Sequence, residues 1–241
     1  MANTITGGSL VTPITGDKTL AELVTRWRLK LDDNTEPYLW SNQEFTDYMN
    51  NAINQLCREI PLIEDYSTAA ICNVTVLNGS TTLSISDRII YIKRAKLLSQ
   101  ERPLTMVSLE HMDYKYSDWE DATSDEPSLL IVDGMGTNKV RLYPPSNAAD
   151  TLKLTVIRLP QYDMTYASDS AASPEIPGKY FDKLDNGVIY QAYLKQDADT
   201  MDQKKSDYHL KLWMKDFEDI KRSMLRSTSR NRVVAPHGAF S

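Results

Sequence analysis

The sequence predicts an α+β protein in which a four-helix core is interrupted by an inserted antiparallel β domain and followed by an extended C-terminal arm. Two stretches near each end of the chain repeat apolar residues every three or four positions, the period of a half-buried helix. The middle instead carries short β-branched runs separated by turn residues. The 241 residues thus divide into a flexible N-terminal arm (1–17), a helical core (18–64 and 176–226), a β domain (65–162), a linker (163–175) and a C-terminal arm (227–241).

The composition is that of an ordinary globular protein. Hydrophobic residues make up 41% and charged residues 25%, which is enough apolar surface for a core. The net charge of −6 argues against a dedicated nucleic-acid-binding protein, whose affinity depends on a broad basic surface. No apolar run approaches the roughly 20 residues that span a bilayer, so we expect no membrane partner. Residues 1–17 also lack the basic start and apolar core of a signal peptide.

Two N-terminal helices follow the flexible arm. The first covers residues 19–32, and the second begins at Ser41, which forms a capping box with Glu44 and ends before Pro61. The short link between them contains Pro37 and favours an antiparallel helical hairpin. Their apolar stripes are Leu20, Leu23, Val24, Trp27 and Leu31 in the first, and Phe45, Tyr48, Met49, Ala52, Ile53, Leu56 and Ile60 in the second.

The inserted region predicts six strands with tight turns. Asn78-Gly79 between the first two strands is a strong hairpin signal, because both residues tolerate the positive φ of a type I′ turn. Gly134 and Gly136 mark a second hairpin. We expect a small antiparallel sandwich or barrel. The predicted strands cover residues 68–77, 81–86, 89–98, 128–133, 139–143 and 151–159.

A stretch within the β domain, residues 104–126, begins like a short helix and ends as an acidic loop. Tyr114, Tyr116 and Trp119 stand among its charges. These aromatic residues are open to three interpretations: packing against the β domain, a contact with another protein, or a platform for carbohydrate.

Helical periodicity returns after the linker. Pro177 suits a helix start, and a second, longer helix covers residues 200–226. Asp197 and Asp199 separate the two helices and are expected to cap the longer one.

The C-terminal arm combines cations with apolar residues and has no acid after Asp219. One interpretation is that the basic residues are favoured near a helix C-terminus and that the residues after them are disordered. The other is an arm that becomes ordered on an acidic partner. Its candidate contact residues are Arg226, Arg230, Arg232, Val233, Val234 and Phe240.

The sequence shows no recognisable active site, so we predict no catalytic residue, no metal ligand and no cofactor. Cys57 and Cys72 do not form a CxxC pair, and the three histidines are scattered, so zinc-ligand spacing is absent. Gly134 and Gly136 lack the remainder of a phosphate-binding loop. We expect both cysteines to be buried, reduced thiols, and we keep an enzyme with an unrecognised carboxylate site only as a third hypothesis.

Three motifs in order resemble the head-to-tail adaptor, or connector, proteins of tailed bacteriophages. The first lies in the second helix, the second in a β-domain strand, and the third in the helices after the linker. The matching residues are Trp40, Ser41, Glu44, Phe45, Tyr48, Asn51 and Ala52; then Asp87, Ile89, Ile92, Arg94 and Ala95; then Ile176, Pro177, Tyr180, Leu184, Ala192, Tyr193, Asp197 and Asp199.

The resemblance covers about residues 19–225. It implies a virion protein of the phage neck that assembles in the host cytoplasm, forms a twelve-fold ring with other copies of itself beneath the portal ring, and extends the DNA channel. It implies no enzymatic activity, a tail tube, nozzle or other neck protein as the partner on the far side, and passage of DNA without sequence-specific binding. The alternative from a different class is a carbohydrate- or receptor-binding β module on a helical base.

Overall fold

The computed structural model describes residues 18–116, 118–197 and 199–230. The mixed α+β class predicted from the sequence is confirmed by the helices and strands of these residues. In chain order they are α1 (Leu20–Leu31), α2 (Asn42–Glu59), β1 (Glu64–Asp65), α3 (Ala69–Cys72), β2 (Asn73–Val76), β3 (Thr82–Ser84), β4 (Ile89–Leu97), β5 (Thr105–Val107), α4 (Leu109–Lys115), β6 (Leu129–Ile131), β7 (Lys139–Tyr143), β8 (Asp150–Arg158), α5 (Tyr166–Asp169), α6 (Phe181–Ala192) and α7 (Gln203–Arg230).

The chain divides into two compact units. The helical unit comprises Met1–Ala52 with Met164–Asp216, and the β unit comprises Ile53–Asp163 with Phe217–Ser241. Two of the three boundaries fall within helices, since α2 and α7 each contribute residues to both units, and the third lies between β8 and α5.

The two N-terminal helices begin where the sequence predicts. Thr19 caps α1 through a capping box with Glu22, and Asp32 ends it in a left-handed conformation. At the start of α2, the Glu44 amide donates to Ser41 Oγ at 3.1 Å and the Ser41 amide donates to Glu44 Oε2 at 2.7 Å. The predicted capping box is therefore confirmed.

Close packing in the helical unit centres on Gly187 of α6. A Cβ atom at this position would lie 3.0 Å from the Trp213 ring of α7 and 3.1 Å from Ala52 Cβ of α2. Trp213 is fully buried. The arrangement of the four long helices as one core stays a prediction.

The β unit contains two four-stranded sheets. In sheet A, β8 is central; β4 lies along one of its edges and β1 and β2 along the other. Sheet B has the order β3-β7-β6-β5. The sheets form a sandwich, because side chains of both meet in one core: sheet A contributes Val74, Val76, Ala95, Leu97, Leu152, Leu154 and Val156, and sheet B contributes Leu83, Leu130, Val140 and Leu142.

A smaller core lies on the other side of sheet B. Met112 of α4 and Trp119, which begins a 3₁₀ turn (Trp119–Asp121), pack with Ile131 of β6. The outer face of sheet B is thus covered by α4 and this turn.

Several sequence-based expectations for the β domain are wrong. Asn78-Gly79 forms a turn, with Gly79 at φ 78°, but β2 pairs with β8 and β3 pairs with β7, so the turn links two sheets instead of closing a hairpin. The first half of the strand predicted over 68–77 is the helical turn α3. The β domain is not wholly antiparallel, since β5 pairs with β6 in parallel, and β1 and β5 were not predicted. The hairpin at Gly134 and Gly136 is confirmed by the antiparallel β6–β7 pair.

The C-terminal half departs from expectation at two points. Asp202, and not Asp197 or Asp199, caps α7: its carboxylate accepts from the Lys205 amide at 3.0 Å, and its carbonyl accepts from the Ser206 amide at 2.9 Å. The predicted linker contains the one-turn helix α5.

The two cysteines are free and buried, as expected from the sequence. Burial, and then the neighbouring Asp65 carboxylate, raises the pKa of the Cys72 thiol to about 11. The thiol is therefore protonated, and weakly nucleophilic, at neutral pH.

Candidate interaction surfaces

Neither a metal-ligand cluster nor a membrane-spanning helix occurs among the described residues. Within residues 18–116, 118–197 and 199–230, no three His, Cys, Asp or Glu side chains come together in a group that could hold a metal ion. None of the helices in this part of the chain is long and apolar enough to cross a membrane. The features that remain are buried ion pairs and charged surfaces.

A buried carboxylate joins α1 to α6 in the helical unit. Asp185 accepts a hydrogen bond from the Trp27 indole at 2.9 Å and pairs with Arg26 and Lys30. Arg26 also pairs with the exposed Asp182, and this bond holds the pKa of that carboxyl below its usual value. Burial alone would lower the pKa of Arg26, but the two carboxylates outweigh it and raise the pKa.

A second buried pair fixes the loop between α1 and α2. Arg28 pairs with Asp33 and donates to the Trp40 carbonyl at 2.8 Å, while its guanidinium lies 3.8 Å from the Tyr38 ring centroid. Asp33 accepts in turn from the Leu39 amide at 2.8 Å. The Arg28–Asp33 pair thus supports the loop from within, as the Asp185 cluster supports the contact of α1 with α6.

The three aromatic residues that the sequence indicates as candidate contacts differ in their exposure to solvent. Tyr114 is 92% exposed, whereas Trp119 is only 4% exposed. The Trp119 indole donates to Asp113 at 2.9 Å, and the Arg141 guanidinium lies 4.5 Å from its ring centroid. Tyr116 is half-buried against Tyr143, with ring centroids 5.3 Å apart. The three rings therefore do not form one exposed platform for carbohydrate.

The same region carries an acidic surface. Its carboxylates stand on α4 and on the 3₁₀ turn beside it, and all are exposed. In the part of the chain that the structure describes, none of them pairs with a cation. We define the acidic surface as Glu110, Asp113, Asp118, Glu120 and Asp121.

The predicted C-terminal arm is described only at its start. Helix α7 continues to Arg230, beyond the predicted end at residue 226, and Lys221, Arg222 and Arg226 are exposed along it. Arg230 is its last residue. Arg232, Val233, Val234 and Phe240 lie outside the described residues, so their role as contacts stays a prediction.

A protein-family model described as SU10 adaptor protein matches residues 18–236 of the chain. The chain belongs to this family. The resemblance to phage head-to-tail adaptors, inferred from three short motifs, is confirmed by this match. No curated protein matches the chain.

Membership defines the class of the protein. It is a phage adaptor and a component of the virion, and its family is a structural family, not an enzyme family. The matched segment begins at the capping residues of α1 and extends past the end of α7, so it includes both units of the adaptor.

Proposed function

We propose that this adaptor forms a ring below the portal of a tailed phage, extends the DNA channel and provides the docking site for the tail. The observation that carries the proposal is the family match over residues 18–236. Its partners are then the portal ring, the tail tube, nozzle or other neck proteins, and further copies of itself in a ring of about twelve. Assembly takes place in the host cytoplasm, and the finished protein lies in the neck.

The charge of the adaptor is compatible with a channel for DNA. A basic channel would bind the phosphate backbone by releasing counterions and would hold the DNA back. A chain with net charge −6 offers no such general attraction. DNA is then able to pass during ejection without sequence-specific binding.

The C-terminal end of the adaptor is our candidate for the portal contact. Helix α7 presents the cations Lys221, Arg222 and Arg226 to solvent before the chain enters the predicted arm. Arginine can form bidentate bonds with carboxylates, which suits acidic crevices in a partner ring. Arg230, Arg232, Val233, Val234 and Phe240 would extend this contact.

On the tail side, Tyr114 is our candidate contact, and Tyr116 and Trp119, which the sequence also suggested, would act by supporting it. Tyr114 is the member whose ring is open to solvent. Tyr116 and Trp119 pack with α4 in the small core on the outer face of sheet B.

Deletion of residues 226–241 tests the proposal. The buried α7 residues Trp213 and Ile220 precede the deletion, so the shortened chain should keep its fold and lose from its circular dichroism spectrum only the helical contribution of the deleted end of α7. It should, however, no longer cosediment with purified portal rings. Ordering an arm costs roughly 1–2 kcal/mol per residue in backbone entropy, so attachment depends on many arm contacts.

The matched control is a chain that lacks residues 1–17, which should still attach to the portal. Unchanged portal affinity of the C-terminal deletion would show that the arm is not the anchor. Failure of the full-length chain to attach at all would overturn the adaptor ring itself.

A further inference from the structure

The outer face of sheet A is an open and basic surface. Along β8, Leu152 and Leu154 point into the sandwich core, so Lys153 between them points outward, where it is exposed. The same alternation places Lys96 of β4 on this face, between Ala95 and Leu97, and Arg94 lies two residues before Lys96. The neighbouring outward positions are Asn73, Thr75, Thr151 and Thr155. Further along the same face of β8, Ile157 is buried and lies opposite Glu64 of β1.

The cations on this face are arranged unfavourably for an isolated protein. Lys96 lies directly opposite Lys153 in the antiparallel register, and Arg94 lies opposite Thr155. Like charges in directly opposed positions destabilise a sheet. Among the described residues, no carboxylate pairs with any of these three cations, and Glu64 of β1 is paired with Lys93 at 2.7 Å. An anionic partner on this face would remove the repulsion.

The chain itself carries a complementary surface on the other side of the β unit. Sheet A and sheet B face each other across the main core, and α4 with the 3₁₀ turn covers the outer face of sheet B. The acidic surface therefore lies on the far side of the sandwich from Lys96 and Lys153. One copy cannot bring its own two surfaces together.

We propose that the outer face of sheet A binds the acidic surface of a neighbouring copy of this chain. Two different surfaces on opposite sides of one unit make a head-to-tail contact, which closes into a ring when the rotation between copies allows it. Arg94, Lys96 and Lys153 would face Glu110, Asp113, Asp118, Glu120 and Asp121. The inference rests on the ring of the proposed function and adds the contact between neighbouring subunits of that ring. Exposed charge pairs give specificity and orientation more than affinity.

Zero-length cross-linking of amines to carboxylates tests the contact without new residues. Portal rings loaded with an equal mixture of unlabelled and nitrogen-isotope-labelled full-length chain are treated with a carbodiimide, and the linked peptides are sequenced by mass spectrometry. We expect links from Lys96 or Lys153 to Glu120 or Asp121 that join a labelled to an unlabelled chain.

Charge-reversal variants test whether these two surfaces are the ones that face each other. A chain with Lys96→Glu and Lys153→Glu has lost the linkable amines of one surface, and a chain with Glu120→Lys and Asp121→Lys has lost linkable carboxylates of the other, so neither chain loaded alone decides the question. On portal rings loaded with an equimolar mixture of the two, we expect links between the lysines introduced in one variant and the glutamates introduced in the other, because the reversed surfaces then meet in alternation. Lys204→Glu with Lys211→Glu, an equal charge change on α7, should have no effect on the links.

The outcomes separate the two proposals. Copies that attach to the portal but give no neighbour links between these surfaces would overturn this inference and leave the adaptor function intact. An absence of links between the introduced lysines and the introduced glutamates in the mixed rings would do the same. Binding of a mixed-sequence DNA duplex that is lost only in the Lys96→Glu, Lys153→Glu chain would assign the face to DNA and also overturn the inference. Failure of the wild-type chain to attach to the portal would overturn the proposed function, and with it the ring on which this inference rests.

Discussion

At the scale of single residues, Asp65 and Arg158 are the most consequential polar pair in the β unit. Both side chains are almost fully buried, and Arg158 Nε donates to Asp65 Oδ2 at 2.6 Å. Burial alone would raise the pKa of Asp65, but hydrogen bonds from Thr68 and Ser67, together with the Arg158 guanidinium, hold the pKa well below its usual value. The pair joins β1 to the last residue of β8.

This pair gives a prediction for the pH dependence of stability. Because the pKa of Asp65 is depressed in the folded state, its contribution is fully present above its unfolded pKa of about 4, begins to decrease below that value, and is lost only as the pH falls through the much lower pKa of the folded state. Replacing Asp65 by Asn should lower the free energy of unfolding by about 3 kcal/mol at pH 7, since Arg158 is left buried beside a neutral group. Urea denaturation at pH 7 and pH 3.5 measures this difference, which should be smaller at the lower pH.

The double variant Asp65→Leu, Arg158→Met is the control for that prediction. Removing both charges avoids an unpaired buried ion, so the double variant should be closer to wild type than Asp65→Asn is. Equal or greater destabilisation in the double variant would show that local geometry, and not the ion pair, accounts for the effect.

At the scale of secondary-structure elements, the start of α2 is specified locally. Ser41 and Glu44 satisfy each other's backbone amides, and Glu44 also pairs with Lys195 at 2.9 Å. Ser41→Ala should lower the free energy of unfolding by about 1 kcal/mol, because one helix amide loses its acceptor. Ser41→Asp, which keeps a capping oxygen, should stay near wild type in the same urea titration. A loss of equal size in both variants would exclude the cap as the cause.

Local signals of this kind explain which elements could be predicted from the sequence. The capping box of α2, the periodicity of α1 and the β6–β7 hairpin depend on residues a few positions apart, and all three are present. Asn78-Gly79 also makes a local turn, but the partners of β2 and β3 are chosen by distant strands that form the sandwich core. The basic face of sheet A could not be predicted from the sequence, because Lys96 and Lys153 become neighbours only through the β4–β8 register.

At the scale of the whole molecule, we expect the isolated adaptor to be a monomer that forms its ring only on the portal. The apolar stripe of α1, including Leu20, Leu23 and Trp27, is already fully buried in a single chain. The charged contact proposed between neighbours is weak without a template. Sedimentation equilibrium at micromolar concentration should give the mass of one chain, 27.4 kDa. A stable ring in the absence of portal would contradict this prediction.

The position of β8 in sheet A also governs the order in which the adaptor can fold during synthesis. β1, β2 and β4 all pair with β8, yet β8 is the last strand to leave the ribosome. Sheet A therefore cannot form while the first three of its strands are being translated, and their unpaired edges stay open during that time. Such long-range pairing slows folding and exposes nascent chains to aggregation. A ribosome that pauses shortly before Asp150 would hold the protein in its most vulnerable state.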